Sequence, residues 1–458
     1  MKIVKLRSLM LYIIIFAFFA GIGLFIYEFI TQSSAWAFSP VNRHLAENSI
    51  AGGKITDTHR LVLVENVNGK RVYNEDESIR KAVLHTVGDG SVLIPTSIQS
   101  RYSKEIFGYN PITGFGAPKI FNVNKNLKLT IDSKVCSDVS KSFKDYKGAA
   151  VAYNYLTGDI LCMVSLPTYD VYKRPSAQEL QDERYDGVYI NRVISSSFTP
   201  GSIFKIFTTA AGLDLIPNIE SRTFNCNKVK IIDGEKVTCM SSHGNINLKT
   251  ALSKSCDIVF SDIGLELGKE KMKAKMEEFG FNKPQYFENM EIAKSEYDVG
   301  EASQADLGWS AIGQYRDKVN PMYMMKIMGA IANNGIPVEP KIIKHVSSGL
   351  NQKSQIGSRL MRQDTAEKLK EMMRYTMKNQ YGDNLFGGIP MCAKTGTAEV
   401  GEDKAPHGWM VGFSYDKNFP VAFSVVVEHG DFGIKSAGPI ASVLVKELHS
   451  GFKNNKYV

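Results

Sequence analysis

Hydrophobic residues follow three different patterns along the chain. From Ser8 to Tyr27 the sequence is uncharged and mostly apolar, and about 20 apolar residues in a helix suffice to cross a bilayer. Residues 32–127 contain short extended runs separated by Gly and Pro, which predicts a small domain of strands and loops. Residues 200–380 mostly repeat with the period of a helix,. The three patterns predict an anchor, a small mixed domain and a larger domain.

Strand-like runs lie at both ends of the region that begins near Lys128. Two of them flank a turn at Thr157-Gly158-Asp159 and predict a β-hairpin. The hairpin strands, three later strands and a closing helix are predicted at residues 149–155, 160–165, 391–400, 408–415, 421–428 and 437–448. An antiparallel sheet built from both ends of a region, with helices inserted between them, is an α+β fold.

Composition and charge indicate the class of protein and on which side of the membrane the chain lies. The 458 residues are 43% hydrophobic and 22% charged, as in globular proteins of two or three domains. The net charge of +8 comes from scattered Lys and Arg, so we do not expect nucleic-acid binding. Lys2, Lys5 and Arg7 precede the apolar segment, which predicts a cytoplasmic N-terminus and an extracytoplasmic chain after Gln32. The alternative is a signal peptide cleaved near Ala35-Trp36-Ala37,.

These patterns divide the chain into four expected segments. They are a cytoplasmic tail (1–7), a transmembrane anchor in the cell membrane (8–30), a small pedestal domain (31–127) and a larger domain (128–458). Nothing in the sequence indicates a cofactor.

The six cysteines lie after the anchor, in a compartment where disulfides can form. Cys226 and Cys239 flank a predicted hairpin turn at Asp233-Gly234,. The sequence is compatible with two states of these cysteines: a disulfide between them, or two free buried thiols. The other four cysteines have no C-x-x-C spacing and no histidine at a metal-ligand interval, so we expect no metal site.

One of the four S-x-x-K sequences in the chain stands in a context suited to catalysis. Pro200-Gly201 interrupts the chain before Ser202, and the apolar residues 203–211 predict a helix that begins there. Ser202 then lies in the first turn, where free N–H groups and the helix dipole favour negative charge. Lys205 lies on the same face one turn later. A lysine must be neutral to accept the serine proton, and a second cation nearby favours the neutral form.

A predicted strand supplies that second cation in the sequence K-T-G-T. Lys394 is the cation, and Gly396 would let a substrate backbone lie against the strand edge,. The hydroxyl groups of Thr395 and Thr397 can bind a substrate carboxylate. The backbone N–H groups of Thr397 and Ser202 would form an oxyanion hole.

A third element is the triplet Ser255-Cys256-Asp257. Ser255 can relay a proton between Lys205 and a leaving amine, and Asp257 can orient the cluster. A carboxylate beside Lys205 would favour the charged amine and oppose its use as a base. We therefore expect Asp257 to pair with Lys394 or to be screened by the backbone.

The motifs S-x-x-K, S-x-[N/D] and K-T-G, in this order, resemble those of penicillin-binding proteins and serine β-lactamases. Further segments match this family in kind and order between residues 130 and 450, among them Thr130-Ile131-Asp132, Thr157-Gly158-Asp159, Asn320-Pro321-Met322 and His407-Gly408-Trp409. The resemblance implies a transpeptidase domain of the penicillin-binding protein and serine β-lactamase type. It also implies a D-Ala-D-Ala stem-peptide donor, an acyl-enzyme on Ser202 and covalent binding of β-lactams.

The sequence departs from the family pattern at two places. The usual Gly-Gln-Gly reads Gly313-Gln314-Tyr315, and Asp257 stands where Asn is commoner. The first departure concerns the shape of a loop near the cleft, and the second concerns the charge beside Lys205.

Within the family, a class B, monofunctional transpeptidase fits best. The region before the catalytic domain is too short for a glycosyltransferase, so a separate membrane glycosyltransferase is the partner that the resemblance implies. One alternative is a D,D-carboxypeptidase, in which water resolves the acyl-enzyme. Another is a non-catalytic β-lactam sensor or wall-complex scaffold. A β-lactamase is disfavoured because no E-x-x-L-N segment is present.

Overall fold

The structure is a computed structural model that describes residues 2–37, 52–91, 93–107, 126–346, 354–401 and 403–457. Residues 38–51 and 108–125 of the predicted pedestal domain lie outside the described residues. The strands, in chain order, are β1 (Ile55–Thr56), β2 (Val62–Val67), β3 (Lys70–Tyr73), β4 (Leu127–Leu129), β5 (Gly148–Asn154), β6 (Ile160–Leu166), β7 (Phe224–Cys226), β8 (Val229–Ile232), β9 (Glu235–Thr238), β10 (Gly244–Ile246), β11 (Tyr286–Phe287), β12 (Met290–Glu291), β13 (Ile343–Val346), β14 (Met391–Ala398), β15 (His407–Ser414) and β16 (Val421–Val427).

The α-helices, in chain order, are α1 (Lys2–Ala37), α2 (Glu77–Ala82), α3 (Leu84–Val87), α4 (Ile98–Arg101), α5 (Ser103–Phe107), α6 (Ser133–Ser142), α7 (Arg192–Ser195), α8 (Lys205–Leu215), α9 (Leu248–Ser253), α10 (Asp257–Phe279), α11 (Gln304–Ser310), α12 (Pro321–Ala332), α13 (Gln363–Thr376) and α14 (Gly433–Lys453).

Helix α1 contains the predicted anchor. Its stretch Lys5–Ser33 has 29 residues and contains an 18-residue window with a mean hydropathy of 2.7, which is long and apolar enough to cross a membrane,. Its large apolar side chains are exposed on the described chain. A helix that is apolar on all sides and uncovered by protein is suited to lipid contact, which is consistent with a single-pass membrane anchor.

The central sheet has the strand order β14-β15-β16-β5-β6 and is antiparallel throughout. It joins the early hairpin to the three late strands, so the predicted α+β plan is confirmed. Every residue of β5, β6, β15 and β16 is buried, because helices cover both faces of the sheet. Helix α14 packs on β15 and β16 and contacts α6, which itself packs on β6. Helix α12 packs on β16, β15 and β5 and contacts α13.

The smaller sheet has the strand order β13-β4-β1-β2-β3. Its strand β13 pairs antiparallel with β4 and comes from a part of the chain far beyond residue 128. The pedestal and catalytic regions therefore share a sheet, and their buried residues form one continuous core. The division of the chain at residues 127 and 128 stays a prediction.

An aromatic cluster fixes the helix that follows Ser202. Phe204 stacks on Tyr297 with ring centroids 5.5 Å apart, and Phe207 meets Phe281 edge to face at 5.0 Å. All four side chains are fully buried, and burial of each phenylalanine contributes about 2 kcal/mol. The backbone that carries the predicted nucleophile is thereby anchored in the core.

The predicted hairpin at Asp233-Gly234 is confirmed, since β8 pairs with β9 around this turn. Cys226 and Cys239 beside it are free, buried cysteines in the structure, which is one of the two states that the sequence left open. Cys226 ends β7, which pairs with β10 rather than continuing the hairpin. The two sulfur atoms instead face a third cysteine, Cys256.

Candidate active site

Ser202 lies in a 3-10 turn, Gly201–Ile203, that leads directly into α8. The sequence predicted that the α-helix itself would begin at Ser202. The 3-10 turn forms instead because Gly201 adopts a left-handed backbone conformation with φ +55°,. The Oγ atom of Ser202 accepts a hydrogen bond from Nζ of Lys205 at 2.9 Å. The predicted nucleophile and the predicted base are therefore in contact.

The side chain of Lys205 is completely buried. Besides Ser202, its ammonium donates to the carbonyl oxygen of Ser255 at 2.9 Å, to Oγ of Ser255 at 3.2 Å and to Oδ1 of Asp257 at 2.6 Å. A buried ammonium requires such acceptors, since it has lost its hydration shell.

The pairing of Asp257 corrects the prediction from the sequence. Asp257 was expected to pair with Lys394 or to be screened by the backbone, but its carboxylate contacts Lys205. Ser255 has a left-handed conformation with φ +55°, and α10 begins at Asp257 two residues later. This turn brings the carboxylate to Lys205, the more deeply desolvated partner of the ion pair.

Lys394 is the lysine whose charge the site disfavours. It is 1% exposed, and its Nζ atom donates to Oγ of Ser255 at 3.0 Å and to the carbonyl oxygen of Thr395 at 3.0 Å. Burial, reinforced by the positive charge of Lys205, lowers the pKa of Lys394 to about 7,. Lys394 is thus the lysine whose neutral form its surroundings favour, whereas the sequence led us to expect the neutral amine on Lys205.

Strand β14 presents a free edge beside Ser202, since in the described sheet it pairs with β15 alone. The N–H group of Thr395 points to that edge, where it donates to the hydroxyl of Tyr381 at 3.1 Å. N–H groups two residues apart point to the same side of a strand, so that of Thr397 also lies at the free edge. This direction agrees with the oxyanion hole predicted from Thr397 and Ser202.

Two glycines allow the turn that carries Ser202 to lie directly on β14. A Cβ atom on Gly201 would lie 2.3 Å from the carbonyl oxygen of Thr397, and one on Gly396 would lie 2.7 Å from that of Pro200. Gly396 was predicted from the sequence to admit a substrate backbone. In the structure its close neighbours include the nucleophile turn, which gives a second reason for a glycine at this position.

The loop at Gly313-Gln314-Tyr315 supports the same turn, because the N–H group of Gly201 donates to the carbonyl oxygen of Gly313 at 2.8 Å. Tyr315 has φ +64°, a left-handed conformation that costs a side-chain-bearing residue about 1 kcal/mol,. Its ring lies 5.1 Å from the guanidinium of Arg316. Tyr315 thus adopts the left-handed conformation that favours glycine, at the position where the family pattern has a glycine.

Sequence reasoning missed Tyr381, whose hydroxyl also contacts Oγ1 of Thr395 at 2.8 Å. It ends the single π-helical turn Met377–Tyr381, and no motif marks that position. It also missed a group of possible metal ligands next to Ser255, because the sequence led us to expect no metal site. These ligands are Cys226, Cys239, His243 and Cys256. The interval Cys239-x3-His243 was a usable signal.

Comparisons with known proteins agree with this geometry. The family model of the penicillin binding protein transpeptidase domain matches residues 148–446. The peptidoglycan D,D-transpeptidase PbpA of Mycolicibacterium smegmatis is 27% identical over 321 residues, which are 64% of this chain and 64% of that protein. PbpA of Mycobacterium tuberculosis is 29% identical over 334 residues, 67% of either chain. The chain thus spans about two thirds of the length of these relatives.

Solved structures show the same fold. The crystal structure of PBPA from Mycobacterium tuberculosis superimposes with a TM-score of 0.75 at 25% identity and covers 88% of this chain and all of that one. A ceftriaxone acyl-enzyme complex of penicillin-binding protein A from the same organism gives a TM-score of 0.74 at 23% identity, with 88% and 99% covered. Because the family model spans well over half of its residues, the chain belongs to the penicillin-binding protein transpeptidase family and is of the class B type.

Proposed function

We propose that this protein is a serine D,D-transpeptidase that crosslinks peptidoglycan stem peptides, with Ser202 as its nucleophile. The observation that carries the proposal is one line of hydrogen bonds through the site. Ser202 Oγ, Lys205 Nζ, Ser255 Oγ and Lys394 Nζ follow one another at 2.9, 3.2 and 3.0 Å. A serine activated by an adjacent amine is the arrangement required for covalent acyl transfer.

The line of hydrogen bonds offers a route to a neutral base. In the form that reacts, Lys205 is the ammonium paired with Asp257 and Lys394 is the neutral amine, which its pKa of about 7 makes about half of the molecules at pH 7. The lone pair of that amine can then accept the hydroxyl proton of Ser255. Ser255 passes its hydroxyl proton to Nζ of Lys394 while it takes one from Nζ of Lys205. Lys205 is then neutral and accepts the proton of Ser202 as its Oγ atom attacks the substrate carbonyl carbon. No proton is gained or lost in this exchange.

The remaining groups have roles around the acyl group. The N–H groups of Ser202 and Thr397 stabilise the oxyanion. Lys394 and the hydroxyls of Thr395 and Thr397 bind the terminal carboxylate of the D-Ala-D-Ala donor. Ser255 returns a proton to the leaving D-Ala amine. An acceptor amine from a second stem peptide then resolves the acyl-enzyme, and a β-lactam acylates the same serine.

The N-terminal helix places this chemistry at a membrane. We propose that α1 is a single-pass anchor in the cell membrane with Lys2, Lys5 and Arg7 on the cytoplasmic side, because basic flanks stay inside. The catalytic domain is then extracytoplasmic and stands on the pedestal domain. Protease treatment of spheroplasts should degrade the catalytic domain. We also propose a separate membrane glycosyltransferase as partner, and crosslinking in membranes followed by co-purification tests it.

Fluorescent-penicillin labelling of the full-length protein in detergent tests the nucleophile. We expect the wild type to be labelled, Ser202→Ala to be unlabelled and the control Ser450→Ala to be labelled fully. Ser450 is a matched control because it is the exposed serine of another S-x-x-K sequence. Labelling that persists in a folded Ser202→Ala variant would overturn the assignment.

Product analysis distinguishes the two fates of the acyl-enzyme. With a pentapeptide donor and an acceptor stem peptide, mass spectrometry should find the crosslinked dimer. A trimmed tetrapeptide alone would identify a D,D-carboxypeptidase. Labelling without either product would identify a β-lactam sensor or scaffold.

A further inference from the structure

Three cysteines and one histidine converge beside the catalytic loop. The Sγ atoms of Cys226, Cys239 and Cys256 and a ring nitrogen of His243 all lie within 4.8 Å of one another. The three cysteines are buried, and none is oxidised. The four residues come from four places in the sequence, since Cys226 ends β7, Cys239 follows β9, His243 precedes β10 and Cys256 precedes α10. The fold therefore gathers these donors from distant positions.

The spacing of the donors fits a tetrahedral metal ion. With Zn–S bonds of about 2.3 Å and a Zn–N bond of about 2.0 Å, the edge between sulfur and nitrogen in a tetrahedron is about 3.5 Å. Nδ1 of His243 lies 3.6 Å from Sγ of Cys239. A disulfide would use only two of the four donors and would leave the imidazole without a function in the cluster.

The surroundings of the cluster orient its donors. Nε2 of His243 contacts the hydroxyl of Ser241 at 3.0 Å, which directs Nδ1 towards the sulfur atoms. Metal-binding histidines are commonly fixed through their second nitrogen in this way. The Sγ atom of Cys226 lies 3.7 Å from the carbonyl oxygen of Ser241, so the segment that carries the partner of His243 also contacts a sulfur of the cluster.

We propose that Cys226, Cys239, His243 and Cys256 bind one structural Zn²⁺ ion. Borderline-soft Zn²⁺ prefers thiolate and imidazole ligands, and the set Cys₃His is one of its common structural sites. Four protein ligands leave no open position for water, so this ion is not expected to take part in the chemistry directly. Bound zinc would also protect the three thiols in a compartment where free thiols oxidise.

The position of Cys256 connects the metal site to catalysis. Cys256 stands between Ser255 and Asp257, both of which contact Nζ of Lys205. A zinc ion on Cys256 would tie this loop to the strands that carry Cys226 and Cys239. It would thereby hold Ser255 in its left-handed conformation between the two lysines. Metal binding itself is independent of the proposed function, whereas this positioning role rests on it.

Metal analysis of the full-length protein, purified in detergent without chelators, tests the site. We expect about one zinc per chain in the wild type, loss of zinc in Cys226→Ala and in His243→Ala, and full retention in Cys136→Ala. Cys136 is the control because it is a buried free cysteine outside the cluster. Ser241→Ala should weaken zinc binding about tenfold or more, since it removes only the partner of Nε2.

Cobalt gives a test that does not depend on variants that fold poorly. After reduction and removal of zinc, the wild type should bind Co²⁺ with the charge-transfer and visible bands of tetrahedral thiolate coordination. Failure to bind either Zn²⁺ or Co²⁺ under reducing conditions would overturn the site. A Cys226–Cys239 disulfide found by peptide mapping of rapidly alkylated protein would also overturn it.

Penicillin labelling of the same samples tests the positioning role. Removal of zinc should slow acylation about tenfold or more, and added zinc should restore the rate. If the zinc-free protein is acylated at the wild-type rate, the positioning role is wrong. The Ser202→Ala variant should lose labelling but keep its zinc, so failure of the nucleophile assignment and failure of the metal site are distinguishable.

Discussion

The unusual protonation of Lys394 should be measurable as a dependence of stability on pH. The pKa of Lys394 falls from 10.5 in a solvated lysine to about 7 in the folded protein. Between these values the unfolded chain binds more protons at this residue than the folded chain does. Stability must therefore rise with pH across this window and level off on either side of it. Lys394→Met removes the titrating group and should remove this rise.

The size of the effect follows from the two pKa values. At pH 7 the cost of keeping Lys394 buried is about 4 kcal/mol relative to high pH, and at pH 9 it is about 2 kcal/mol. The wild type should thus gain about 2 kcal/mol between pH 7 and pH 9 through this residue. No discount for solvent screening applies, because Lys394 is 1% exposed. For a folding unit of roughly 300 residues, this gain corresponds to about 3 °C in Tm.

Thermal unfolding of the full-length protein at pH 7 and pH 9 checks this prediction. The Tm of the wild type should rise about 3 °C more than that of Lys394→Met. Lys417→Met is the matched control and should follow the wild type, because Lys417 is exposed. If wild type and Lys394→Met shift in parallel, Lys394 is not the lysine held near neutrality and the proposed proton exchange fails.

Three further variants probe the geometry of the site, each measured by the rate of fluorescent-penicillin acylation against the wild type. Tyr381→Phe removes the hydroxyl that contacts Thr395 at 2.8 Å and should lower the rate about tenfold, or about 1.4 kcal/mol, and an unchanged rate would refute this role. Gly201→Ala, with φ +55° and a backbone oxygen 2.3 Å from the new Cβ, should lose about 100-fold or more, whereas near-normal labelling would show that the turn can move. Asp257→Asn keeps an oxygen for Lys205 while it removes the charge, so the rate should stay within about tenfold, and complete loss in a folded variant would contradict this.

The central sheet could be predicted because its strands are short apolar runs bounded by turns. The observed strands β14, β15 and β16 agree with the predicted ones to within one or two residues at each end. Strands that are buried on both faces are nearly continuous runs of apolar residues, and such runs are easy to identify in a sequence. The contribution of β13 to the smaller sheet was not predicted, since its pairing with β4 is a contact between distant segments.

The three catalytic motifs could be found in the sequence, but their pairing could not. Lys205 and Lys394 both contact the hydroxyl of Ser255, and Asp257 contacts Lys205. Which of the two amines meets the carboxylate depends on the directions of these side chains. Those directions are set by the left-handed conformation of Ser255 and by the start of α10. Local sequence does not specify either feature.

The cysteines illustrate the same limit at longer range. A hairpin between Cys226 and Cys239 suggested a pair, because two strands joined by a tight turn bring their ends together. In the structure β7 leaves the hairpin to pair with β10, and this pairing brings the loop with His243 to the sulfur atoms. The three sulfur atoms and a ring nitrogen of His243 then lie within 4.8 Å of one another, and only the tertiary path of the chain determines that arrangement.

The charges of the site suggest why Lys205 can be both paired and catalytic. The ion pair of Lys205 and Asp257 is neutral overall, and about half of Lys394 is the neutral amine near pH 7, because its pKa is about 7. A substrate carboxylate bound beside Lys394 adds a negative charge, which favours the protonated form of that lysine. The proton that Lys394 then requires can come from Lys205 through Ser255. On this reasoning, the correctly placed carboxylate of the substrate itself produces the neutral base, so Ser202 is activated only when a donor peptide or a β-lactam is in position.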